Sequence, residues 1–287
     1  MLGVVVANGT LGGGPALAAS DILAPVINTN AAASFLVGGV IGPSSPADES
    51  DGVTWEIPEL VKWSVTDDSG QICDFRIYAM AADSWPDPDN ENGRLLLGMH
   101  SRTPSPYAGQ VVDTFYDYDG AAGGNGDVDA GWKLVASDCS GNTARVDVVS
   151  LGETSVLQED NRHTTYEYSR DPGALTYAGT WGTTTCACAS WNAMRRTTSK
   201  GSSFTFTRTY ERDDHLALVM AKGPGCGQAD VFVDGVKTAT INTHASTNTN
   251  RVIVFDKWMS AGVHKVRVVN RATTGHPRID LDAVLTN

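Results

Sequence analysis

Two groupings of side chains carry residue types that could do chemistry. His215 follows Asp213 and Asp214, with Ser202 and Ser203 upstream, the types of a nucleophile, its base and an orienting acid. Adjacent residues in a turn point different ways and no strained elbow lifts either serine, so this grouping reads as a solvated turn. Asp117-Tyr118-Asp119-Gly120, followed by Asn125, Asp127 and Asp129, offers the oxygen ligands that calcium prefers. The spacing is not that of an EF-hand. A solvated acidic loop is the expectation, with calcium on Asp117, Asp119, Asp127 and Asp129 as the weaker alternative and no other cofactor; Asp87, Asp89 and Glu91 read the same way. His100, His163, His244, His264 and His276 show no metal spacing, and His264, ahead of an alternating strand, is expected to pack or bond a turn.

The cysteines sort by position. Cys73 follows the turn Asp67-Asp68-Ser69-Gly70 and Cys139 sits at a strand end; a bridge between them would remove roughly 4 kcal/mol of unfolded-chain entropy. Cys226 is expected to pair with Cys186 or Cys188, leaving one thiol over: two residues apart on a strand they would share a face, and only the nearer could reach Cys226, while Cys186-Ala187-Cys188 is too short for the usual zinc knuckle. Bridges imply oxidising surroundings. Sugars stack on aromatic rings while polar side chains read their hydroxyls. Tyr177, Trp181, Trp191 and Trp258 are the candidate rings, and the favoured set is Trp191 with Asn192, Arg195, Arg196 and Tyr177.

These residues need a scaffold, and the composition says which kind. A chain of 287 residues with a net charge of -12 exceeds one ordinary domain, and its scattered basic residues argue against nucleic acid. No run reaches the roughly 20 apolar residues of a membrane span. Met1 to Ser20 imitates a signal peptide but lacks a basic n-region and is broken by Gly12-Gly13-Gly14-Pro15, so an ordered arm is expected instead. Through about Pro46 that arm should bury Leu2, Val4, Val5, Ile22, Leu23 and Phe35 against another subunit.

From Leu60 the hydrophobic period is two: Val61, Trp63 and Val65, then Phe75, Ile77 and Ala79, then Trp132, Leu134 and Ala136, then Val146 and Val148. Asp83 to Gly93 and Tyr116 to Gly131 read as long polar loops. Later, Phe204 and Phe206 alternate with Thr205 and Thr207, and Leu216 to Ala221 is apolar on both faces, as in a central strand. Val231 to Val233 meets Asp234-Gly235, a hairpin dipeptide, before Val236 to Ile241 returns. Strands follow at Val252 to Phe255, Lys265 to Val269 and Ile279 to Leu285, and helix should be minor.

Trp63-Ser64-Val65-Thr66-Asp67-Asp68-Ser69-Gly70, Phe75-Arg76-Ile77-Tyr78 and Ala136-Ser137-Asp138-Cys139-Ser140-Gly141-Asn142 together resemble fibronectin type III and immunoglobulin-like modules of actinobacterial extracellular proteins. The insert from Trp85 to Gly131 departs from that pattern. Tyr177-Ala178-Gly179-Thr180-Trp181, Ser203-Phe204-Thr205-Phe206, Lys222-Gly223-Pro224, Ala229-Asp230-Val231-Phe232-Val233-Asp234-Gly235, Gly262-Val263-His264-Lys265 and Arg278-Ile279-Asp280-Leu281-Asp282-Ala283 occur in the order seen in jelly-roll modules. Those modules resemble carbohydrate-binding and galactose-binding-like domains, carried by wall-active proteins of actinobacteria and minor tail proteins of their phages. The matched positions are mostly turn glycines and core apolars, which specify fold better than ligand.

The resemblance implies an all-β chain: an extended N-terminal arm and linker over 1–52, an immunoglobulin/fibronectin III-like sandwich over 53–152 and a jelly-roll sandwich over 153–287. It implies a non-catalytic virion protein, a phage minor tail component on the outer tail surface. Its partners would be other virion proteins reached through the arm, copies of itself in a symmetric assembly and cell-wall glycan, with no nucleic acid and no membrane insertion. The alternative is a secreted carbohydrate-binding accessory module of a wall- or polysaccharide-active protein.

Overall fold

The computed structural model describes residues 21–29, 33–42, 54–81, 94–118, 129–149, 155–160, 163–164 and 173–286. The first part of the chain supplies β1 (Val26–Thr29), β2 (Ser34–Phe35), β3 (Thr54–Thr66), β4 (Gln71–Ala81), β5 (Arg94–Met99), β6 (Thr103–Pro104), β7 (Tyr107–Tyr118), β8 (Asp129–Asp138) and β9 (Thr143–Val149). The second part supplies β10 (Ser155–Gln158), β11 (His163–Thr164), β12 (Ala174–Ala178), β13 (Gly182–Thr185), β14 (Ala193–Thr197), β15 (Ser203–Tyr210), β16 (Asp214–Lys222), β17 (Gln228–Val233), β18 (Val236–Asn242), β19 (Thr249–Met259), β20 (Gly262–Asn270) and β21 (Ile279–Thr286). A 3-10 turn, Ser190–Asn192, lies between β13 and β14.

Two sheets face each other in the first part. In one, β3 pairs along its length with β7, and its other edge takes β1 and β2; in the other, the order is β5-β4-β8-β9 with β6 beside β4. The period of two sends Val61, Trp63 and Val65 of β3, Phe75 and Ile77 of β4 and Trp132 and Leu134 of β8 into one core. There the Trp63 ring stacks on Phe75 at 5.2 Å. Gly109 on β7 lets that indole approach, since a Cβ there would lie 2.6 Å from the ring. Cys73 and Cys139 are bonded, tying the start of β4 to the end of β8.

In the second part the chain changes sheet at most of its connections, the winding of a jelly roll. One sheet runs β12-β15-β20-β17-β18; the other centres on β21, flanked by β16 and β19 on one edge and by β14 with β13 and β10 with β11 on the other. Asp234 and Gly235 turn the β17–β18 hairpin at φ 50° and 83°, the positive angles expected of that dipeptide.

Strand β16 is buried on both faces. Leu216, Leu218 and Met220 enter the jelly-roll core, while Ala217 and Val219, with Ile253, Ala283 and Leu285, enter the core of the first sandwich. The two sandwiches therefore share one sheet as a wall.

The segment expected to lie on another subunit takes part in that junction. Phe35 is buried in its own chain, with its ring edge-on to His215 at 6.2 Å. Leu36 N–H donates to Pro58 O, while Gly38 and Ile41 N–H donate to Ile253 O and Arg251 O and Ile253 N–H returns a bond to Gly39 O. Assigning Phe35 to an intermolecular contact was incorrect because β3 has an unpaired edge whose donors and acceptors this segment satisfies. Ile22 and Leu23 are 78% and 58% exposed on this chain, and Leu2, Val4 and Val5 lie outside the described residues.

Phe35→Ala should remove a buried ring of the first core that meets His215 at the junction. Equilibrium denaturation is expected to show a loss of about 3–5 kcal/mol, whereas Val37→Ala, at an exposed neighbour, should change little.

Candidate functional site

The five residues favoured for a glycan do not form one surface. Arg195 and Arg196 are consecutive on β14 and so face opposite ways. Arg195 turns to the facing sheet, where its guanidinium lies 5.2 Å over the Tyr177 ring. The Tyr177 hydroxyl donates to Glu159 O at 2.5 Å, and its ring meets Trp181 edge-on at 5.2 Å. Burial pushes the Tyr177 phenol well above its ordinary range, so this ring is occupied with packing. Trp181 packs in turn on Phe204, and its indole donates to Ala178 O at 3.1 Å. Arg196, on the other face, grips Asp280. Asn192 is exposed at φ 62°, and the side chain of Trp191 lies outside the described residues.

The cysteine pairing of the second part also departs from expectation. Cys186 and Cys188 are bonded to each other, and Cys226 is a free, buried thiol. On an extended strand, residues two apart would have Cα atoms about 6.7 Å apart, near the upper limit for a bridge. Cys186 and Cys188 lie in a turn closed by Ala189 N–H to Cys186 O, which brings their Cα atoms to 5.0 Å, within bonding range. Cys226 is held elsewhere, in the β16–β17 connection against the start of β21, where Arg278 Nη2 donates to its sulfur at 3.1 Å.

His215 is not in a solvated turn. It is buried on β16 with Nδ1 2.9 Å from Asp256 Oδ1. Ser202 Oγ accepts from Thr180 N–H and Asp213 Oδ1 from Ala261 N–H, so the grouping read along the sequence disperses.

A different row, Ser260, His264 and Asp234, has the distances of a hydrolase triad. Ser260 Oγ lies 3.3 Å from His264 Nε2, and Asp234 Oδ2 lies 2.7 Å from Nδ1. The nearer neighbour of Nε2 is the Ser260 carbonyl at 2.9 Å, an acceptor, so this nitrogen sits closer to the backbone than to the serine hydroxyl. Burial would raise the Asp234 carboxyl, but bonds from Lys265 N–H and His264 outweigh it and hold it below the ordinary range. The row clamps the β19–β20 turn to the β17–β18 hairpin, the turn-bonding role expected of His264.

Asp117 and Asp129 stand on strands of different sheets, β7 and β8; their side chains, with Asp119 and Asp127, lie outside the described residues. Among the described residues, Asp21, Asp67 and Asp68 bring ligand oxygens within 4.8 Å of one another. The Leu23 N–H bond alone would lower the Asp21 carboxyl; desolvation and the charges of Asp68, Asp138 and Asp67 raise it overall. Asp282 is a separate case, fully buried, with Oδ1 accepting from Ser190 N–H at 3.0 Å and no hydrogen-bond partner for Oδ2 among the described residues. Burial pushes this carboxyl up to about 8.

Among the described residues of the jelly roll, one large aromatic stands open. Trp258 on β19 is 45% exposed. Its ring meets His215 edge-on at 4.8 Å, and His215 is fixed by Asp256 on one side and Phe35 on another. The result is a rigid ledge of indole, imidazole and carboxylate beside the junction of the two sandwiches, where ligand sites commonly form.

No family model matches the chain, and no curated protein matches it. Among solved structures, it is similar to CBM35 from Cellvibrio japonicus Abf62, at 14% identity over 47% of this chain and 92% of that one, with a TM-score of 0.35. It is similar to the CBM36-1 domain of a multidomain xylanase from the hindgut metagenome of Trinervitermes trinervoides, at 10% identity over 47% of this chain and 96% of that one, with a TM-score of 0.31. A third likeness, to the catalytic domain of a GH87 α-1,3-glucanase in complex with nigerose, has 14% identity and covers 47% of this chain but only 28% of that one, with a TM-score of 0.31. Likenesses this distant assign neither ligand nor activity.

Asp282 gives a pH test. Its folded value of about 8 lies above the ordinary 3.8, so between those values the folded chain holds a proton that the unfolded chain has lost. Its contribution to stability therefore falls as pH rises from the acid range and levels off above about 8. Thermal unfolding of Asp282→Asn between about pH 5 and pH 9 should decline less steeply than that of the parent; an unchanged slope would contradict a neutral buried carboxyl.

Proposed function

We propose that the chain is a non-catalytic glycan-binding protein of extracellular surroundings, with the exposed ring of Trp258 as its stacking surface. The observation that carries this is the ledge itself: a half-exposed indole immobilised by His215, which Asp256 holds in turn. Exposing a large ring forfeits burial, and a rigid ring beside hydrogen-bonding groups suits the apolar face and hydroxyls of a sugar. The Cys73–Cys139 and Cys186–Cys188 bridges support oxidising surroundings. Ser202 is bonded to Thr180, and the His264 ring lies nearer the Ser260 carbonyl than its hydroxyl, which supports binding without cleavage.

The sequence resemblance to minor tail proteins supports presentation on a virion. One ring on an open surface gives little affinity, and many copies on one particle would act together. A secreted accessory module would use the same ledge. Of the described carboxylates, Asp21, Asp67 and Asp68 are the ones close enough together to share a calcium ion, should one bind.

Trp258→Ala should lower retention of the purified protein on actinobacterial cell walls while leaving the melting temperature nearly unchanged. Equal retention would remove the ledge from the proposal, and soluble sugar released from the walls would contradict the non-catalytic reading.

A further inference from the structure

At the far end of β21 from this ledge, two arginines share one buried acid. The Asp280 side chain is 1% exposed; Arg196 Nε lies 2.9 Å from its Oδ1 and Arg278 Nε 3.1 Å from its Oδ2. Arg196 adds a second contact, Nη2 to Oδ2 at 3.3 Å. One bidentate guanidinium already balances one carboxylate, so the second leaves a surplus positive charge. Cys226 does not balance it: Arg278 Nη2 donates to that sulfur, and burial keeps the thiol protonated. Asp282, the next acid along the strand, is tied to Ser190, and burial pushes its carboxyl up to about 8, so at neutral pH it is mostly uncharged and does not balance Arg278.

Both guanidiniums reach the surface, with side chains 36% and 25% exposed, and Nη1 of each has no partner among the described residues. Gly223 and Gly225 lie against the Arg278 head; a Cβ at either would sit at ordinary contact distance, 3.6 Å, from one of its terminal nitrogens, and at Gly223 it would first meet Asn248 Oδ1. The β16–β17 and β20–β21 connections beneath are fixed by Gly227 N–H to Arg278 O and Arg278 N–H to Gly225 O. The donors are thus held in place before any ligand arrives.

The geometry points to an oxyanion site at Arg196 and Arg278, taking the carboxylate or phosphate of an acidic polymer. It is separate from the Trp258 ledge. Asp280 lies beside the Leu281 pairing with Met220, whereas Trp258 pairs with His215, five residues and about 17 Å away along β16.

Titration calorimetry at low ionic strength with glucuronate and with glycerol 3-phosphate, against glucose and glycerol, tests the assignment. Either anion should bind while its neutral counterpart does not, with affinity falling as sodium chloride is added; the stronger of the two identifies the group. Arg196→Gln should weaken binding roughly tenfold, Arg196→Lys should retain part of it, and Trp258→Ala should leave it unchanged. Equal response to charged and neutral probes, or full affinity in a folded Arg196→Gln protein, would overturn the site. Because the ledge is read by wall retention and this site by small anions, either can fail alone.

Discussion

The architecture depends on a sheet that is apolar on both faces. Along β16, successive residues alternate between two cores: Leu216, Leu218 and Met220 serve the jelly roll, and Ala217 and Val219 serve the first sandwich. β21 does the same with Val284 and Leu285. Small side chains on the shared face let the first sandwich approach closely, and the junction resembles an interior more than a surface between domains. Phe35 and His215 meet at its margin, so the ledge at Trp258 exists only because the two halves are joined there.

Much of this was legible in the sequence. The double-faced run Leu216 to Ala221 marked a central strand, though it could not say which second core required it. The Asp234-Gly235 turn and the alternations at Val61 to Val65 and Phe204 to Phe206 correspond to strands as read. The strands at the edges were not legible. β1, β2 and β5 are short, and β7, Tyr107 to Tyr118, mixes polar and apolar residues without a clean period, because its pairing with β3 rests largely on backbone bonds. Strands held by backbone hydrogen bonds leave a weak side-chain signature.

The site was legible as a list of residue types and illegible as an arrangement. Arg195 and Arg196 look like two donors for one ligand, but consecutive strand positions place them on opposite faces. Tyr177 looks like a binding ring because nothing in the sequence shows that Glu159 O takes its hydroxyl. Trp258 could have been ranked higher: in Val254-Phe255-Asp256-Lys257-Trp258-Met259 it shares strand parity with Asp256, a polar face carrying one large ring. His215 needed the fold, since its partners Asp256, Trp258 and Phe35 come from two other strands.

The strap from Ala33 to Ile41 has a mechanical meaning. It bonds to β3 on one side through Ser34, Phe35 and Leu36 and to β19 on the other through Gly38, Gly39 and Ile41. Tension entering from the Asp21 end would meet the β1–β3 pairing first, then the strap's bonds to β3 and last those to β19, so the contact with the jelly roll is the last to be loaded. A protein that holds a surface against flow or thermal motion gains from that order, because the ledge at Trp258 would keep its shape while the outer bonds yield.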